Sequence, residues 1–95
     1  MLIHIVLFKM KDRSAQSIEK AKEVLLNMDG KIEYLKHLEV GTDILHSERS
    51  YDLALYTKFD NMDDMQKYQV HPEHKKVQQY MLENREASVT VDYEL

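Results

Sequence analysis

Apolar residues along this chain repeat with two different periods, and the switches between them mark its elements. Leu2 to Met10 is dense in Ile, Val, Leu and Phe and predicts a strand. From Ala15 the period lengthens. Ala15, Ile18, Ala21, Val24, Leu25 and Met28 recur at three- and four-residue spacing, the stripe of an amphipathic helix. Ser14 or Ser17 can cap its start, and Asn27, Asp29 and Gly30 stop it. Glu33 to His46 reads as a strand, with Val40, Thr42, Ile44 and His46 alternating around Gly41. Ser47 to Ser50 forms a turn, and Tyr51 to Phe59 a third strand. Asp60 is placed to cap a second helix bearing Met62, Met65 and Tyr68. Val70-His71-Pro72 interrupts that helix, and Pro72 suits the first turn of a new helical segment carrying Val77, Tyr80, Met81 and Asn84. Ala87 to Leu95 alternates again, with Val89, Val91 and Tyr93 on one face.

The order is strand-helix-strand, strand-helix-strand, and the two halves echo each other: HIVLFKMKD from His4 resembles DLALYTKFD from Asp52. This is the β-α-β-β-α-β pattern of an α+β, ferredoxin-like fold: a four-stranded antiparallel sheet with its helices on one face. Successive strand side chains point to opposite faces. In the first strand Leu2, His4, Val6, Phe8 and Met10 share one face, and Ile3, Ile5 and Leu7 the other. Right-handed crossovers place both helical connections on the same side of the sheet. The second face would then present Ile3, Ile5, Leu7, Ala54 and Tyr56 to water. Burying each large apolar side chain is worth about 1.5–3 kcal/mol, so a second copy of the sheet is the simplest cover. A homodimer formed through sheet faces is therefore expected.

Composition narrows the partners. Ninety-five residues make one domain, residues 1–95. A 43% hydrophobic, 32% charged chain is an ordinary globular mixture. Net charge is −4 and the Lys and Arg residues are scattered among acids, so neither nucleic acid nor an anionic membrane surface is an expected partner. Cysteine is absent, which removes disulfides and thiolate chemistry. The opening apolar run is too short to span a membrane and lacks the basic start of a secretory signal, so a cytoplasmic protein is expected.

Three side chains stand out chemically. His4 lies mid-strand on the helix-facing side. His74 shares a helical face with Val77 and Met81. Tyr68 continues the Met62–Met65 stripe up to the helix break. Together they can bring two imidazoles and a phenol into one apolar chamber, which suits general acid–base chemistry. A packing role stands beside the chemical one for each: a histidine or tyrosine in an apolar run is commonly a core residue whose polar atom finds a local partner. His71 and His74 form an H-x-x-H, but Pro72 separates them and no third ligand is apparent, so no metal is expected. There is no H-E-x-x-H, P-loop or G-x-G-x-x-G, and no cofactor is expected.

The opening HIVLFKMKD, the stretch SERSYDLALYTKFD, the segment YQVHPEHKKV from Tyr68 to Val77, and VDYE from Val91 resemble the stress-responsive A/B barrel family of the dimeric α/β-barrel superfamily. The resemblance spans essentially the whole chain. It implies a ferredoxin-like subunit whose sheet joins a second copy's to make a homodimeric barrel. One branch of that family is a metal-free polyketide cyclase. The resemblance to it assigns His74 as base, Tyr68 as its partner and His4 to the same pocket. Where that branch has a further pocket histidine this chain has Leu53, and where it has a tyrosine on the first helix this chain has Leu25. Val6, Phe8, Leu25 and Leu53 are thus expected to give a drier wall. Most members of the family have no assigned reaction. The superfamily's haem-degrading monooxygenases use an aromatic constellation that a chain without tryptophan does not supply. The resulting expectation is a dimer holding a small apolar or aromatic ligand between sheet and helices. Its alternatives are a cofactor-free lyase, cyclase or isomerase and a purely structural or regulatory dimer.

Overall fold

The computed structural model describes all 95 residues. Its elements run β1 (Leu2–Met10), α1 (Ala15–Leu26), β2 (His37–Thr42), β3 (Leu53–Phe59), α2 (Met62–Gln69), α3 (Pro72–Asn84) and β4 (Arg85–Glu94). The four strands form one antiparallel sheet in the order β2-β3-β1-β4. Each half of the chain therefore leaves a gap between its two strands that the other half fills, which is the ferredoxin-like arrangement.

Local chemistry sets the helix ends. The Ser14 side chain accepts the Ser17 N–H at 3.2 Å, satisfying one of the first-turn donors of α1. Gly30, at φ +77°, takes the left-handed conformation that turns the chain after the helix. Asn61, not Asp60, caps α2 and accepts the Asp64 N–H at 2.9 Å. His71 caps α3 through Nδ1, which accepts the Glu73 N–H at 3.1 Å, with Pro72 in the first turn.

Three strands differ from the pattern, and of these β3 begins at Leu53 rather than Tyr51. The second strand covers His37–Thr42 rather than Glu33 to His46. Before it, Ile32 drops into the core and its carbonyl accepts the Leu35 N–H, closing a turn. After it, the Asp43 carboxylate accepts the His46 N–H at 2.6 Å and His46 adopts φ 55°, so Ile44 and Leu45 project into solvent despite the alternation that includes Ile44. The last strand begins at Arg85 instead of Ala87 because α3 passes directly into it, Arg85 N–H donating back to the Met81 carbonyl.

The core lies between the sheet and the helices, built from Leu2, Phe8 and Met10 of β1, Leu53, Leu55 and Phe59 of β3, and the inward sides of the helices. The opposite sheet face is uncovered. On it Leu7, Val89, Val91 and Tyr93 are 37–53% exposed. Ile3 corrects the expected pattern: it shares this face yet is fully buried within the single chain, flanked in register by Lys58 and Tyr93, whose longer side chains can cover it.

One buried charge ties β1 to β3. Asp52 is 1% exposed; its Oδ2 accepts the Met10 N–H at 2.8 Å, and both carboxylate oxygens accept from Arg13 Nε at 3.0 and 3.2 Å. Asp52→Ala leaves the Met10 N–H unpaired, with an expected loss of about 2–3 kcal/mol in urea unfolding. Arg13→Ala leaves the buried Asp52 carboxylate without its countercharge and is expected to cost a similar amount, about 2–3 kcal/mol. A loss below about 1 kcal/mol in Arg13→Ala would show that solvent replaces the guanidinium.

Candidate functional site

The interruption of the second helix builds the site. Val70 ends α2, His71 turns the chain, and α3 sets off in a new direction. Tyr68 at the end of α2 and His74 in the first turn of α3 are thereby brought together, their ring centroids 4.3 Å apart and their planes tilted by 50°. Tyr68 also packs on Phe59 of β3 at 4.8 Å, and the ring of His4 stands edge-on to it at 6.4 Å. All three predicted residues line one cavity of about 320 Å³ between the sheet and α3.

Val6, Phe8 and Leu25 line that cavity too, but Leu53 does not. Leu53 pairs with Phe8 in the core, and Leu55, one step along the same face opposite Val6, takes the wall position. Met28, Val77 and Met81 add to the apolar lining. Arg85, Ser88 and Thr90 supply polar atoms from β4, and Gln69 from the end of α2.

Each imidazole has one nitrogen committed. His74 Nδ1 lies 3.1 Å from the Gln69 carbonyl. A carbonyl only accepts, so Nδ1 carries the proton and neutral His74 keeps its lone pair on Nε2. Burial lowers the pKa of His74; the bond to Gln69 opposes this in part, and the neighbouring His4 and His71 add to the lowering. His74 is therefore a neutral base at pH 7. His4 Nδ1 is bonded to the carboxylate of Asp92, which sits directly opposite it on β4. That carboxylate orients the ring and leaves its Nε2 as the uncommitted nitrogen.

Tyr68 is different. Its hydroxyl donates to the sulfur of Met28 at 3.7 Å, a weak acceptor, and the residue is fully buried. Burial raises its phenol above the ordinary tyrosine range, so it remains protonated and does not serve as a phenolate. Every buried side-chain nitrogen and oxygen in the chain has a hydrogen-bond partner.

Asp92 and the polar edge of β4 are parts of the candidate site that the sequence pattern did not single out. The signal was present: with Val89, Val91 and Tyr93 on one face, Ser88, Thr90 and Asp92 must share the other. Only the β1–β4 register places Asp92 against His4.

The model of the stress responsive A/B barrel domain matches residues 2–95. The chain belongs to this family. An uncharacterised family relative from Streptomyces coelicolor is 31% identical over 78 residues, 79% of this chain and 80% of that protein. Among solved structures, a dimeric ferredoxin-like protein of unknown function from Bacteroides fragilis is 34% identical, with a TM-score of 0.86 over 99% of this chain and 95% of that one. A second dimeric ferredoxin-like protein, from Thermobifida fusca, is 26% identical with a TM-score of 0.87 over 99% and 90%. The hydroxynitrile lyase of Passiflora edulis shares the fold of this A/B barrel chain at 18% identity, with a TM-score of 0.84 over 99% and 92%.

The lowered pKa of His74 makes stability depend on pH. Below 6.5 the unfolded chain takes up more protons at this position than the folded one. The contribution of His74 is thus fully present above pH 6.5 and is lost as the pH falls from there through its lower folded pKa. The melting temperature is expected to drop between pH 7 and pH 5, with a smaller drop in His74→Gln. Equal slopes in the two proteins would assign the titration to another group.

Proposed function

We propose that this A/B barrel chain forms a homodimer through its open sheet face and that each subunit, one domain of residues 1–95, holds a small apolar or aromatic molecule between sheet and helices. The cavity carries this reading. Its volume of about 320 Å³ falls at the lower end of the range for small-molecule sites, which is about 300–1,000 Å³. Its wall follows the composition of such sites: mostly apolar side chains with a few convergent polar groups. A core filled to ordinary density leaves no space of this size. The dimer is supported by the contiguous apolar row of Leu7, Val89 and Val91 on the uncovered face and by the dimeric relatives from Bacteroides fragilis and Thermobifida fusca.

One observation favours a second, enzymatic reading. The Gln69 carbonyl holds His74 in the tautomer whose Nε2 accepts a proton, in an environment that keeps the ring neutral. In this reading the protein is a cofactor-free lyase, cyclase or isomerase acting on a carbonyl compound. His74 takes a proton from an acidic carbon or hydroxyl of the ligand. Tyr68, exchanging its weak bond to the Met28 sulfur for one to the ligand's oxygen, acts as the donor. His4, oriented by Asp92, lines the same chamber.

Thermal unfolding with a panel of phenols, aromatic acids and β-diketones tests the cavity. A ligand at a hundred times its dissociation constant should stabilise wild type by about 2.7 kcal/mol. No stabilisation by any compound would overturn the ligand reading and favour a structural dimer. With a binding compound in hand, turnover by wild type that His74→Gln loses while still binding selects the enzyme. Equal turnover would remove His74 from the chemistry.

Light scattering tests the assembly. Wild type is expected at twice the monomer mass at micromolar concentration, and Val91→Glu, which places a charge in the exposed apolar row of the open face, is expected to shift it toward monomer. A stable wild-type monomer would overturn the dimer.

A further inference from the structure

Arg85 is the one permanently charged residue among the sixteen that line the cavity, and it reaches that position through a backbone irregularity. An unbroken β1–β4 ladder, continuing from Phe8 opposite Ser88 and Lys9 opposite Ala87, would set Glu86 against Met10. Instead the register shifts between Lys9 and Met10, and Met10 pairs with Arg85. Met10 is on the helix-facing side of β1, so the bulge brings an arginine to the cavity and leaves the glutamate exposed. Bulges re-aim side chains in this way and are concentrated beside binding sites.

The backbone around Arg85 is held firmly. Its N–H donates to the Met81 carbonyl, the Asn84 carbonyl accepts the Lys11 N–H at 3.0 Å, and the Asn84 side chain donates to the Tyr80 carbonyl at 2.9 Å. The guanidinium, by contrast, is uncommitted. Arg85 is partly buried yet takes part in none of the chain's seven ion pairs. The acids beside it in sequence are engaged elsewhere: Glu86 with Lys9 at 3.5 Å and Glu83 with the Gln79 amide at 2.8 Å. No carboxylate lines the cavity. Arg85 faces the helix side of the sheet, away from the proposed dimer face, so a second subunit there would leave it free.

We propose that the molecule held in the cavity is a small organic carboxylate, its carboxylate gripped by the Arg85 guanidinium at the β4 side and its apolar body lying on Val6, Phe8, Leu55 and Met81. Guanidinium and carboxylate match as a planar two-bond pair, and such charge-assisted bonds are about twice as strong as neutral ones. Ser88, next to this end of the cavity, offers a hydroxyl to the same group. The arrangement would orient the ligand with its anionic end at Arg85 and its remaining length toward His74. This deepens the cavity reading above and rests on it.

Isothermal titration of the full chain with cinnamate and with cinnamamide, its neutral counterpart, tests the assignment. Wild type is expected to bind cinnamate about tenfold or more tightly than cinnamamide. Arg85→Gln is expected to bring cinnamate down to the level of the amide and leave cinnamamide unchanged, and Arg85→Lys to keep part of the preference. Added sodium chloride should weaken cinnamate and spare cinnamamide, because Arg85 is partly open to solvent. The lysine variant and this salt dependence decide the matter should Arg85→Gln fail to fold. Equal affinity of wild type for the two probes, or a preference that survives in Arg85→Gln, overturns the role of Arg85 and leaves the cavity reading standing. Failure of both probes to bind at millimolar concentration overturns both.

Discussion

The helical layer of this subunit packs over only part of its sheet, and the site depends on that mismatch. Helices α1 and α2 lie over β2 and β3, where the inward residues are Val40, Leu53, Leu55 and Phe59. On the β1–β4 side the inward residues of β4 are Ser88, Thr90 and Asp92, which gain little from burial under a helix. The half-covered strip between α3 and β1 becomes a cavity with an apolar floor and one polar edge. A larger or more apolar β4 face would close it into ordinary core.

The helix break at Val70–His71–Pro72 then sets what the cavity contains. A continuous helix would carry Tyr68 and His74 six residues apart, on different faces. The turn at His71 removes that constraint and brings their rings into contact, with Phe59 packed on Tyr68. The two carry different proton chemistry for the same reason, burial. It disfavours charge on both, so it keeps the tyrosine protonated and the histidine neutral. The pair is thus a donor and an acceptor at neutral pH, whether its partner is a bound ligand or a reacting one.

The opposite sheet face follows another logic. Its rows run across the strands as Ala54–Leu7–Val89 and Tyr56–Ile5–Val91, a surface of mostly apolar side chains on two paired strands and a third. Ile3 shows that part of this face is already covered within one chain. The remaining exposed apolar row is narrower than alternation alone implies and centres on Leu7, Val89 and Val91. Family membership and the dimeric relatives agree with a surface of this kind.

Local order was legible in the residues themselves because it depends on near neighbours. A dense apolar run marked β1, alternation marked β4, three-to-four spacing marked α1, and Pro72 marked the start of α3. Alternation in β1 put His4, Val6 and Phe8 on the helix side, and helical spacing turned His74 inward with Val77. What failed locally was also instructive: Ile44 continues the alternation of β2 but leaves the sheet, because the Asp43 carboxylate and the left-handed His46 bend the chain away. The pairings between distant segments were decided only in the tertiary structure. Asp92 meets His4 across 88 positions of sequence, Leu55 rather than Leu53 reaches the cavity, and a single-residue bulge exchanges Glu86 for Arg85 on its wall. Hydrophobic period tells which face a residue takes, but strand register, which sets its partner, is fixed by the packing of the whole sheet against its helices.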